Sequence, residues 1–227
     1  MKKFKTIMMA MVAMAAMTFS FTSCDDEPWD RPDDGPNDGW YRPGDDGNDK
    51  VTIYDEADAL CGEWFGPVRY TYNNGNGGYD VAEFYATMRF SRYNTNSAKG
   101  TGTEIDRTYD ASGNVTDSQT LTFTWEILSN FDIQITYDDG GTYVLDANTS
   151  RKGFSLGYDD KTGKNVFAGY MIGTGSAEGN EIAFDFEATT KNGTRAADSS
   201  AMVNTFGINS EKPVINVSAG GKLSKTR

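Results

Sequence analysis

A chain of 227 residues with 33 acidic against 21 basic side chains carries a formal net charge of −12 and contains no histidine. The missing histidine excludes Ser-His-Asp and Cys-His nucleophilic machinery and every His-ligated metal site. The acidity excludes nucleic acid as a partner, and the length beyond the first fifty residues suits one ordinary domain.

Lys2, Lys3 and Lys5 precede the apolar run Ile7–Phe21, which ends in Phe21-Thr22-Ser23-Cys24. This order of charge, apolar stretch and small residues is that of a secretory signal, and the run is shorter than the ~20 residues of a membrane span. It resembles the lipobox of bacterial lipoproteins, with Phe21 where Leu is usual. The resemblance implies cleavage before Cys24 and acylation of that cysteine, palmitate included, so that outer-membrane lipid is a partner. Loss of residues 1–23 removes three lysines and no acid, leaving 18 basic against 33 acidic residues, a net of −15. Acyl chains rather than attraction to anionic lipid are then expected to hold the protein at the membrane. Asp25-Asp26-Glu27 resembles the export signal of surface lipoproteins in Bacteroidetes-type Gram-negative bacteria, which implies an outer-membrane, lipid-anchored protein facing the cell exterior. A lipoprotein facing inward is the alternative.

Residues 24–50 read as a tether. Asp25 to Lys50 holds ten acidic residues against Arg31, Arg42 and Lys50, with repeated Pro and Gly, and such a composition buries too little apolar surface to fold alone. It contains a near-repeat, Arg31-Pro32-Asp33-Asp34-Gly35 and Arg42-Pro43-Gly44-Asp45-Asp46-Gly47. At ~3 Å per residue an extended segment of this kind lifts a domain several tens of Å from a membrane. Neither Asp33–Asp38 nor Asp45–Asp49 has the alternate acids, sixth-position Gly and twelfth-position Glu of an EF-hand. No metal and no cofactor are expected.

From Leu60 onward the hydrophobic period is two. Leu121, Phe123, Trp125 and Ile127 alternate with threonines; Phe84, Ala86, Met88 and Phe90, then Ile133, Ile135 and Tyr137, then Ile182, Phe184 and Phe186 repeat the pattern. Further strands are expected at Glu63–Tyr72, Thr101–Tyr109, Tyr143–Leu145, Gly153–Tyr158 and Val166–Ile172. Asp138-Asp139-Gly140-Gly141 and Asp110-Ala111-Ser112-Gly113-Asn114 supply the turn residues of hairpins, and short connections exclude a parallel sheet. The expected fold is therefore all-β, an antiparallel up-and-down barrel of about eight strands over residues 51–191, with an antiparallel β-sandwich as the alternative. Trp64, Phe84, Phe123, Trp125, Ile135 and Phe184 should share one interior, and Thr122, Thr124, Gln134 and Asp185 should face out. In the remaining 192–227 extension, Val214-Ile215-Asn216-Val217 reads as an edge strand and Gly220–Arg227 as a frayed basic tail.

Leu60-Cys61-Gly62-Glu63-Trp64-Phe65-Gly66 resembles the Gly-x-Trp opening of lipocalin and other calycin barrels, with Gly62 and Trp64 on the motif positions. The resemblance implies that Trp64 opens the first strand and plugs the closed end after a short helical turn, here Asp55–Leu60. The chain departs from that family in having no evident late basic residue over the tryptophan, no disulfide pair and no helix after the last strand. Cys61, between Leu60 and Gly62, reads as a small buried hydrophobe.

Two classes of site come from the residues themselves. Asp185 and Glu187, with Glu181, lie on one strand face and most simply form an outer acidic row, although paired carboxylates can perform glycoside hydrolysis. Aromatics are the better candidates for binding: Trp64, Tyr70, Tyr72, Phe84, Trp125 and Tyr137 are expected to line a barrel cup, with Tyr79 near them beside the loop Asn73–Gly78. The expected function is that of a non-catalytic, monomeric cell-surface binding module for a small apolar or amphipathic ligand. The alternatives are a glycan-binding or macromolecule-binding accessory protein, an adhesin or an inhibitor working through its outer surface.

Overall fold

The computed structural model describes residues 51–189, 205–209 and 211–223; the signal, Cys24, the tether and the last four residues of the basic tail lie outside them. The chain begins with α1 (Ile53–Leu60) and continues through β1 (Gly62–Asn73), β2 (Tyr79–Arg92), β3 (Lys99–Tyr109), β4 (Val115–Ile127), β5 (Ile133–Tyr137), β6 (Thr142–Leu145), β7 (Phe154–Asp159), β8 (Lys164–Thr174) and β9 (Glu181–Ala188). Thr52 starts α1 with a capping box, its backbone N–H donating to Asp55 Oδ2 at 2.7 Å while its hydroxyl accepts from Asp55 N–H at 3.3 Å. The chain leaves the helix through Gly62 at φ 137°, a conformation side chains rarely adopt, and goes straight into β1.

β1 to β6 form an antiparallel meander, β9 returns to β1, and β8 pairs with β9. The sheet closes where β6 meets β8 in the register Thr142↔Thr174, Tyr143↔Gly173 and Val144↔Ile172. The result is an all-β, lipocalin-like barrel of eight strands, and the sandwich alternative is set aside. β7 stands outside the ring, paired with the first half of β8 on the same side as β6. α1 packs against β4 and β7 and covers one end; the β1–β2, β3–β4 and β5–β6 turns lie at the other end, termed the open end, which no α-helix of the described residues covers.

The register sorts the side chains as the period of two requires. Trp64, Phe84, Ile135 and Phe184 are fully buried and Phe123 and Trp125 nearly so, whereas Thr122 and Thr124 are exposed and Gln134 and Asp185 half-buried. Near α1 the interior is aromatic: Phe167 packs edge-on against Trp64, Phe90, Phe154 and Phe184 at centroid distances of 4.7–6.2 Å. Gly100 and Gly102 on β3 make room for this floor, because a Cβ would stand 2.8 Å from Trp125 at the first and 2.2 Å from Phe123 at the second.

The C-terminal extension is placed in a way its sequence does not suggest. Val214–Val217 forms no strand, and the exposed edge of β7 is taken instead by Phe206, which exchanges backbone hydrogen bonds of 2.8 and 2.9 Å with Leu156. The chain then crosses the outside of the barrel, where Lys212 binds Asp159 at 3.2 Å and sits near enough to Asp185 to act on its charge. On the outer face of β8 and β9, Val166, Ala168 and Ala183 are buried, and Asp185 is desolvated, its carboxyl pulled up by burial and only partly drawn back by Lys212. The acidic row is otherwise paired outside, Glu181 with Lys152 and Glu187 with Lys164.

Glu56 on α1 is fully buried beside Ala57 and Leu60, and neither carboxyl oxygen has a hydrogen-bond partner. Burial first, and the nearby Asp132 second, push its pKa from 4.5 up to about 8. A group whose folded pKa is raised contributes its full stability below the unfolded value and loses it as pH climbs to the folded one. At 1.36 kcal/mol per unit, stability should fall by about 3 kcal/mol between pH 4.5 and 7 through this group. Glu56→Gln should abolish that slope and raise stability at neutral pH, as measured by urea unfolding across the range.

Candidate functional site

β3 is the strand on which the barrel changes character. Its inward positions are Gly100, Gly102, Glu104, Asp106 and Thr108, and the last three are buried. A buried carboxylate costs free energy unless hydrogen bonds or charge reach it. Tyr137 on β5 donates its hydroxyl to Glu104, and Gln119 Nε2 on β4 donates to Asp106 Oδ2 at 2.7 Å. One step nearer the opening, Thr108 and Thr116 hydroxyls meet at 2.9 Å. Across the interior, Tyr143 O–H donates to the Tyr70 hydroxyl at 3.2 Å, which also accepts from Asn180 Nδ2 at 3.1 Å. The neighbours of Asp106 toward β2 and β1 are Ala86 and then Gly66, so that side of the interior carries little bulk.

This divides the six aromatics singled out from sequence. Trp64 and Trp125 belong to the packed floor: Trp64 Nε1 donates to Leu60 O at 2.8 Å, tying β1 to the end of α1, and Trp125 Nε1 is shared between Ser91 O and Thr101 O at 3.2 and 3.1 Å. Tyr70 and Tyr137 supply hydroxyls to the polar storey, and Tyr72, two positions further along β1 toward the β1–β2 turn, is half-buried and stacked on Tyr70 at 5.0 Å. Phe84 is fully buried on the next strand, level with Val68 of β1. Tyr79 is 60 % exposed and outside the cup. Sequence reasoning missed Glu104, Asp106 and Gln119. Cys61 is buried in the core, as its neighbours suggested.

A second concavity lies on the outer face of β2, β3 and β4. It has a volume of about 270 Å³ and is rimmed by Arg89, Thr101, Thr103, Thr122 and Asp138. Arg89 is paired with Glu63, and Asp138 accepts the Thr122 hydroxyl. Among the described residues no group of three or more thiol or carboxylate side chains is placed to hold a metal ion.

No protein-family model, curated protein or solved structure matches this chain.

The hydrogen bond from Tyr137 is buried and ends on a carboxylate. Its removal by Tyr137→Phe should cost about 1–3 kcal/mol in unfolding free energy, whereas Thr124→Ala on the outer face should stay within about 0.5 kcal/mol of the parent. Denaturant titration of the two variants side by side provides the check.

Proposed function

We propose that this chain is a lipid-anchored, non-catalytic binding protein whose ligand is a small amphipathic molecule taken at the open end of the barrel. The observation that carries the reading is the vertical division of the interior. An aromatic floor around Phe167 lies below a storey of Glu104, Asp106, Gln119 and tyrosine hydroxyls, which suits a ligand with an apolar body and a hydrogen-bond-donating end. Cys24, acylated after removal of residues 1–23, holds the protein at the outer membrane, and the acidic 24–50 segment carries the barrel outward on the cell exterior. No catalytic step is assigned, since the carboxylates are bound by neighbouring side chains inside the barrel.

A second reading has its own observation. The outer pocket near 270 Å³, with its threonine, arginine and aspartate rim, suits a sugar ring, and a glycan would then be held on the outside of β2 to β4.

The full chain extracted from membranes in mild detergent should retain a small molecule detectable by native mass spectrometry. Glu104→Gln and Tyr70→Ala should lose it, and Thr124→Ala should keep it. An equal complement in the parent and the Glu104→Gln chain would move the site to the Arg89–Asp138 pocket. For the anchor, Cys24→Ala should leave the protein outside the detergent phase of a Triton X-114 partition. A variant that still follows the parent into detergent removes the lipoprotein reading.

A further inference from the structure

The outer face from β2 to the end of β5 carries a row of polar side chains in direct cross-strand register. Arg89 pairs with Thr103 and Thr103 with Thr122, and Asp138, which follows β5, donates its backbone N–H to Thr122 O at 3.1 Å. Neighbouring strands stand ~4.8 Å apart, so the backbones of Arg89 and Asp138 lie ~14 Å from each other along the sheet. Over this row sits the outer pocket of about 270 Å³, with the pair Ser91 and Thr101 on its next row and Gly102 and Phe123 beneath. Arg89 and Asp138 are exposed at its two ends.

The polar atoms of this row are not consumed by one another. Arg89 gives Nη2 to Glu63, and Asp138 Oδ2 accepts the Thr122 hydroxyl. Among the described residues nothing else binds either side chain, and nothing binds the hydroxyls of Thr101 and Thr103. Donors are therefore free at one end, a carboxylate oxygen is free at the other, and hydroxyls able to do both lie between. Glu63 offsets the charge of Arg89, so Asp138 leaves the pocket negative on a chain of net charge −12. An anion is disfavoured there. No lining residue turns an aromatic ring outward, since Phe123 is 2 % exposed and faces the core, so a flat aromatic ligand finds nothing to stack on. The volume is just below the ~300–1,000 Å³ of pockets that enclose drug-sized molecules, which suits one ring.

We propose that the outer pocket binds a single uncharged sugar ring, the end of a glycan, with adjacent hydroxyls held between Arg89 and Asp138 and the ring lying over Thr101 and Thr103. The inference rests on the outer-pocket reading given above and narrows it to one neutral ring held by two named ends, at a site separate from the barrel interior. One hydroxyl donates to Asp138 Oδ1 while its neighbour accepts from the Arg89 guanidinium, and hydrogen bonds to charged groups are the stronger kind. Threonine methyls meet the aliphatic C–H groups of the ring. A uronic acid would bring a second carboxylate toward Asp138 and be repelled. With only one ring held on an open wall, the dissociation constant is on the order of 1 mM.

The probes are the methyl glycosides of glucose, galactose, mannose and N-acetylglucosamine, offered to the full chain in a detergent without a sugar headgroup and read by saturation-transfer-difference NMR. At least one should receive saturation. Its dissociation constant should rise at least about tenfold in Arg89→Gln and in Asp138→Asn, and Thr124→Ala should bind like the parent. Silence from all four glycosides, or equal binding by the parent and both pocket variants, overturns the proposal. The methyl glycoside of the corresponding uronic acid should bind at least about tenfold more weakly than the neutral sugar. Binding of the uronic acid alone, lost in Arg89→Gln, would keep a glycan on this face and overturn the neutral ring. A sugar lost from Glu104→Gln but kept by Arg89→Gln and Asp138→Asn would lie in the barrel interior; the outer pocket then fails as its site and the binding-module reading stands.

Discussion

Closure of the sheet depends on a short contact. Only three residue pairs join β6 to β8, yet without them β1 to β9 would be an open sheet with two edges and no interior. Gly173, in the middle pair, makes room for the turn that follows β8, because a Cβ there would stand 2.0 Å from Ala177 O. Once the ring is shut, alternate residues on eight strands are committed to one enclosed volume, and a slip of one residue anywhere would expose a whole strand's apolar face. The floor of interlocking aromatics around Phe167 and the helix α1 over the closed end both presuppose that commitment.

Much of this is legible in the sequence because most strands have one face that is apolar and one that is not. The bounds of Ile133–Tyr137 can be read to the residue, and β4 announces its register through Phe123, Trp125 and Ile127. The Gly62–Trp64 pair marks the passage from helix to first strand, and Trp64 ties the two together through its indole N–H. β3 is legible as a strand but not as a site. Its inward positions run Gly, Gly, Glu, Asp, Thr and its outward ones include Thr101, Thr103, Ile105 and Arg107, so neither face is apolar and periodicity carries no sign of which side is in. Only its neighbours decide: Met88 and Ala86 on β2 face inward, and they pair with Glu104 and Asp106.

The C-terminal extension misleads for a related reason. Val214–Val217 alternates like a strand, but a closed barrel offers no edge for it, and the edge left on β7 is occupied by Phe206. The segment lies across a face instead.

The two ends of the interior answer to different physical demands. Near α1, edge-to-face rings and glycines shaped to receive them leave little freedom, and close packing of this kind supplies stability while resisting change. At the open end, buried carboxylates and tyrosine hydroxyls contribute little net stability, because each hydrogen bond replaces one to water and each buried charge must first be desolvated. A fold does not retain such groups for its own stability when apolar residues of similar volume would serve as well. Their placement on one strand, beside Ala86 and Gly66, therefore adds little to the packing that holds the floor together and sets the two ends of the interior apart in chemistry.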